Sequence, residues 1–247
     1  MNPDSGADVD GEGAGARDVR SDGGEERRAA LRPPLDRGER EVKDGVLRMG
    51  VLVEDQILAA LDALIRHDAD AALAVIRGDR QINEAQRNLS TLIATVIALQ
   101  QPVARDLRFL LSLDHVTYEL ERMGDHAASV AKQARKLAPH PPLGAYVDLP
   151  EMARLAASLV RGILGALVDI DQAAARAVAL RDDDMDRLYH RTFEQTLQLM
   201  RADPANVDPG VRILFAAHYL ERIGDRVTNI AEGIVFLATG ESVDLNP

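Results

Sequence analysis

The stretches ERMGDHAASVAK at residues 121–132 and ERIGDRVTNIAE at residues 221–232 are two versions of one phrase, one hundred residues apart. Each copy sets two carboxylates four residues apart, Glu121 with Asp125 and Glu221 with Asp225. That spacing places both acids on one face of a helix. Like charges so placed repel by about a few tenths of a kcal/mol unless a cation compensates. An unfavourable pairing written twice calls for a structural or chemical reason.

The residues around each phrase define the helix that carries it. Leu113, Val116, Leu120, Met123, Ala127, Val130, Ala134 and Leu137 recur at alternating steps of three and four, and Ile213, Ala216, Leu220, Ile223, Val227, Ile230, Ile234 and Leu237 repeat them. Such a seam predicts long, nearly antiparallel helices packed as in a coiled coil. Upstream the duplication continues at an offset of 103, which matches Met49 with Met152, Leu64 with Leu167, Asp68 with Asp171 and Asp79 with Asp182. The chain is therefore a tandem repeat.

Punctuation divides each half into three helices. In the first half, helix one is expected from about Asp36 to Arg66, Asp68 is the candidate N-cap of a second helix ending near Leu99, and Pro102 opens the third. Pro150, Asp171 and Pro209 are the corresponding marks in the second half, and Gly240 closes its last helix. The predicted fold is all-α, two antiparallel three-helix bundles in tandem. The bundles are expected at residues 31–138 and 150–240, joined by a linker over 139–149 within the stretch PHPPLGAYVDLP at residues 139–150. Residues 1–30 carry Gly, Asp, Glu and Arg with almost no large apolar side chain and are expected to form a disordered tail.

Composition narrows the function classes. Aromatic residues make up 3% of the chain and Trp is absent, which suits close-packed helices better than sheets. A formal net charge of −11 argues against sequence-independent binding to a phosphate backbone, so nucleic acid is not an expected partner. With no Cys there is no disulfide, thiolate metal site or cysteine nucleophile, in keeping with a reducing cytoplasm. No N-terminal apolar stretch resembles a signal peptide. The uncharged run from Asn88 to Ala104 is shorter than the roughly 20 apolar residues of a membrane span.

Beside each apolar seam runs a polar stripe. Asp114, Glu121 and Asp125 form it in the first half; His218, Glu221, Asp225, Asn229 and Glu232 form it in the second. The second helices add an acidic pair, Asp182 with Asp186, and Asp79 with Asn83 at the matching place. Side-by-side packing of the second and third helices would bring these oxygen-bearing groups together. Carboxylates without Cys and with few His suit hard or borderline cations such as iron, manganese, magnesium or zinc. The plainer alternative is a solvated acidic face neutralised by the adjacent Arg122 and Arg222.

These motifs resemble the PhoU proteins, accessory regulators of phosphate-specific transport. The similarity covers about residues 35–240: a Met-containing first helix in each half, D-x-x-I-N at Asp79, PVARDLR at Pro102, ERMGD at Glu121 and ERIGDRVTNIAEGIVFLATG at Glu221. The resemblance implies a cytoplasmic negative regulator of phosphate uptake and of phosphate-starvation signalling. It would act by touching the ATPase subunit of the phosphate ABC transporter and a sensor histidine kinase, often as a homodimer, and not by catalysis. It further implies multinuclear iron, zinc or manganese sites, with Glu121, Asp125, Asp182, Asp186, Glu221 and Asp225 as ligands and Asp79 as a weaker candidate.

The first half departs from that pattern. Ser129 and Lys132 stand where the second half has Asn229 and Glu232, and Asn83 stands where it has Asp186. A lysine on the stripe opposes cation binding, so the second half is expected to bind metal better. Two rival readings remain at this point. A ferritin-like di-metal enzyme would use Glu-x-x-His pairs, which the sequence lacks; a metal-free helical adaptor would dock a basic surface on its acidic stripes.

Overall fold

A computed structural model of the protein describes residues 22–143 and 148–245, with side chains from Pro33 onward. Its helices are α1 (Asp22–Ile65), α2 (Ala69–Gln100), α3 (Ala104–Leu137), α4 (Leu149–Asp169), α5 (Gln172–Ala179), α6 (Asp182–Ala202) and α7 (Val207–Thr239), with a 3₁₀ turn at Pro204–Asn206. No strand occurs among the described residues, and no helix there is long and apolar enough to cross a membrane.

Local chemistry sets the helix ends. Asp68 Oδ1 accepts hydrogen bonds from Asp70 N at 3.1 Å and Ala71 N at 2.8 Å. At the repeat-related place Asp171 Oδ1 accepts from Ala173 N at 2.9 Å and Ala174 N at 3.0 Å. Both caps satisfy amides that have no partner within their own helix. Gly240 ends α7 in the left-handed conformation at φ 79°, which glycine adopts without strain.

Three boundaries differ from the sequence expectation. Residues 1–21 of the expected disordered tail lie outside the described residues, and α1 is described from Asp22, so the expected tail boundary near residue 30 falls within this helix. Pro209 does not open α7 but is its third residue, still in the first turn, where the missing N–H would have had no helical acceptor. The second helix of the second half is two helices, not one: α5 stops at Ala179 and α6 restarts at Asp182. Three consecutive acids, Asp182, Asp183 and Asp184, occupy the first turn of α6. They are stabilised at a positive helix N-terminus and would repel one another inside a continuous helix. The first half has Asp79, Arg80 and Gln81 there, and α2 runs straight through.

The seam residues are buried as their spacing predicts, from Leu113 to Leu137 in α3 and from Ile213 to Ile234 in α7. Truncating one of the larger ones, such as Leu120, to alanine would cost about 2–5 kcal/mol. The two bundles also share a core. α1 packs on α4 and α3 on α7, so that α1, α3, α7 and α4 form a closed four-helix centre flanked by α2 on one side and α5 with α6 on the other. One continuous hydrophobic cluster spans both halves. Its polar seams are Glu54, which accepts from Arg161 at 2.5 Å between α1 and α4, and Glu119, which accepts from Asn229 Nδ2 at 3.3 Å between α3 and α7.

Candidate functional site

In the second half, α6 supplies Asp182 and Asp186, and α7 supplies Glu221 and Asp225. Each pair has the four-residue spacing that stacks side chains on one helical face. Asp182 is buried at 7% exposure, Glu221 and Asp225 are half-buried, and Asp186 is exposed. The point of closest approach is Gly224. A Cβ there would lie far inside contact distance of Asp182 Oδ1, so the glycine makes room for this carboxylate against α7. The internal glycine therefore accommodates a carboxylate.

The four acids sense one another electrostatically. Burial, then Asp186, Asp225 and Asp183, push the Asp182 carboxyl up to about 6. Burial, then Asp225, raise Glu221 to about 7, with Asp186 and Asp182 adding to the rise and Arg222 opposing it. Glu221 Oε2 is buried and accepts no hydrogen bond, with His218 Nδ1 3.4 Å away. Arg222 forms an ion pair with Asp225 at 3.4 Å. Low-dielectric burial of several carboxylates favours either protonation or a bound cation.

The first half brings together the corresponding groups with different partners. Asp79 of α2 accepts from Gln56 Nε2 at 3.2 Å and from Asn83 Nδ2 at 3.1 Å, two neutral amides. The repeat-related positions in the second half are Leu159 and Asp186. Glu121 is raised by burial and then by Asp125, with Arg122 opposing the rise and Asp79 adding to it. Arg122 lies 4.0 Å from Glu121 and 3.7 Å from Asp125. Gly124 opens onto Ile82 and Asp79, where a Cβ would stand 3.0 Å from Ile82 Cδ1 and 3.4 Å from Asp79 Oδ1.

Two residues of the expected second-half stripe are engaged elsewhere. Asn229 binds Glu119 of the other half, and Glu232 Oε1 accepts from Leu245 N at 2.9 Å. Lys132 is exposed, and Ser129 Oγ donates to the Asp125 carbonyl at 2.9 Å. Glu119 was not singled out by the stripe reading. It lies three residues after Val116 and four before Met123, beside the apolar seam, and an acid at that edge is the signal that could have marked it. Arg226 Nη1 lies 3.6 Å from it. Nearby, His126 stacks on Tyr219 at 6.1 Å and is held down to about 4 by burial, then by Arg226, Arg222, His218 and Arg122.

The all-oxygen donor set of Asp182, Asp186, Glu221 and Asp225 fits a hard cation chemically. Among the described residues, however, no group of three or more His, Asp or Glu side chains is already arranged to hold one. The acids are neighbours that side-chain rotation would have to draw into a ligand set.

A duplicated all-helical protein with a carboxylate pair on the last helix of each repeat is the class that this fold and site define. The PhoU domain family matches residues 46–134 and 149–234, and the chain belongs to that family. It is 37% identical to the phosphate-specific transport system accessory protein PhoU homolog of Clostridium acetobutylicum over 207 residues, 83% of this chain and 94% of that protein. The PhoU homolog of Streptococcus pneumoniae is 33% identical and covered over its full length, 100%, by 87% of this chain. The crystal structure of PhoU from Pseudomonas aeruginosa superposes with a TM-score of 0.79 at 33% identity, covering 83% of this chain and 99% of that one. The phosphate transport system regulatory protein PhoU from Streptococcus pneumoniae also gives 0.79, at 31% identity, covering 85% and 99% of the two chains.

Proposed function

We propose that the protein is an accessory and negative regulator of phosphate uptake and of phosphate-starvation signalling in the cytoplasm. It acts as a homodimer by contact with the ATPase subunit of a phosphate ABC transporter and with a sensor histidine kinase. The observation that carries this reading is the match of both repeats to the PhoU domain, together with relatives named for the phosphate-specific transport system. Metal ions, iron, zinc or manganese, belong to the proposal: Asp182, Asp186, Glu221 and Asp225 would hold them in the second half, and Glu121 and Asp125, with Asp79, more weakly in the first. A bound cation would neutralise the raised carboxylates and lock α6 to α7. The protein's role is binding, not catalysis.

A metal-free adaptor is the second reading, favoured by the lack of a ready ligand set among the described residues. Deleting the gene tests the regulatory reading: starvation genes should stay on in phosphate-rich medium, and normal repression would contradict it. Complementing the deletion with Glu221→Ala/Asp225→Ala separates the two forms. Loss of repression supports a working metal site, and full repression supports the adaptor.

A further inference from the structure

The second half has a feature that its duplicate lacks. Between α4 and α6 lies an open cavity of about 540 Å³ lined by Arg154, Arg181, Arg187 and Arg191. In a chain of net charge −11, four guanidinium groups around one hollow run against the bulk charge.

Two of them are already paired with acids. Arg191 binds both oxygens of Asp148 at 2.6 Å and lies 3.6 Å from Glu151, and Arg187 pairs with Asp184. Arg187 offsets Asp184, one of the two acids of the cavity wall, while Arg191 is shared between the buried Asp148 and the other wall acid, Glu151. Arg181 Nη1 instead donates to the neutral Ser158 Oγ at 2.9 Å, and no ion pair forms at Arg154 or Arg181 among the described residues. Ser158 Oγ is thereby used as an acceptor, which leaves its hydroxyl proton to donate.

The repeat shows that this arrangement is specific to one half. At the offset of 103, Val51, Gly78, Glu84 and Asn88 occupy the places of the four arginines, and Asp55 that of Ser158. Arg181 also sits at the break between α5 and α6, where α2 of the first half is continuous. Helix interruption and positive charge therefore occur together, at the same place.

We propose that this cavity binds a phosphate-class oxyanion, held by the guanidinium groups of Arg154 and Arg181 and the hydroxyl of Ser158. Guanidinium forks match the oxygen geometry of phosphate and form charge-assisted hydrogen bonds with it. The volume admits inorganic phosphate or the phosphoryl end of a nucleotide. This site is separate from the carboxylate cluster and does not depend on metal there.

Calorimetric titration of the full chain with inorganic phosphate, and separately with AMP, at about 0.15 M salt tests the proposal. Saturable binding is expected for at least one of them, weakened about tenfold or more by Arg154→Ala/Arg181→Ala and partly restored by lysine at both places. Binding of phosphate identifies the free anion as ligand; binding of AMP alone identifies a phosphoryl ester. Should the double variant fail to fold, Ser158→Asp, which installs the acid that the first half has at Asp55, should abolish binding. The proposal is overturned if neither ligand binds, if the arginine and Ser158 variants bind normally, or if binding is lost only on Asp225→Asn, which would place the anion at the carboxylate cluster.

Discussion

The two halves of the molecule share a backbone plan and differ in how they treat the corresponding acid, half-buried Asp79 in the first and buried Asp182 in the second. Asp79 is met by two amides, Gln56 and Asn83, which donate to it. Asp182, its repeat partner, is acted on by Asp186, Asp225 and Asp183 instead, and Leu159 and Asp186 stand at the sequence positions that correspond to Gln56 and Asn83. Neutral donors favour the charged form of a carboxylate, whereas neighbouring carboxylates favour a bound proton or cation. One duplication thus yields an amide-bonded acid in the first half and a cluster of neighbouring acids in the second.

The sharpest way to break this contrast is at the paired glycines. Gly224→Ala pushes a methyl into Asp182 and is expected to lower stability by about 1–3 kcal/mol in denaturant unfolding. Gly124→Ala meets Ile82 less closely, at 3.0 Å from Cδ1 and 3.2 Å from Cγ2, and the gain in helix propensity of about 1 kcal/mol should offset most of that contact, leaving stability nearly unchanged. Equal effects at the two sites would remove the structural basis of the contrast.

A smaller effect is expected in the pH dependence of the metal-free protein. The folded state raises Asp182 from 3.8 to about 6 and Glu221 from 4.5 to about 7. The folded protein therefore holds these protons more tightly than the unfolded chain does. The resulting stability is fully present below the unfolded values and is lost as pH rises through the folded ones. Melting temperature should fall between about pH 4 and pH 7, and Asp186→Asn should flatten that fall by relieving both acids. An unchanged slope in the variant would show that Asp186 does not couple to them. The smallest effect is expected for the same exchange in reverse, Asn83→Asp, which should steepen the slope only slightly because Gln56 still donates to Asp79.

Much of the fold could be read from local chemistry. Asp68 and Asp171 cap helices in the structure, and the seam from Leu113 to Leu137 is buried, because N-cap bonding and helical periodicity are properties of neighbouring residues. The break at Leu180–Arg181 was hidden, because the apolar spacing continues across it and only the run Asp182–Asp184 favours a new helix start. The pairing of Glu119 with Asn229 and Arg226 joins residues more than one hundred positions apart, which no local pattern encodes. At the site, the acids and the asymmetry between halves were visible in the sequence. The use of Asn229 and Glu232 in other contacts was not, because it depends on the packing of α7 against α3 and the C-terminal segment.

Metal content per chain, measured by elemental analysis after loading with iron, manganese or zinc, tests the inequivalence of the halves most directly. Glu221→Ala/Asp225→Ala should abolish most of the bound metal, while Glu121→Ala/Asp125→Ala should leave most of it in place. Equal losses in the two variants, or metal that survives the second-half substitution, would contradict the account.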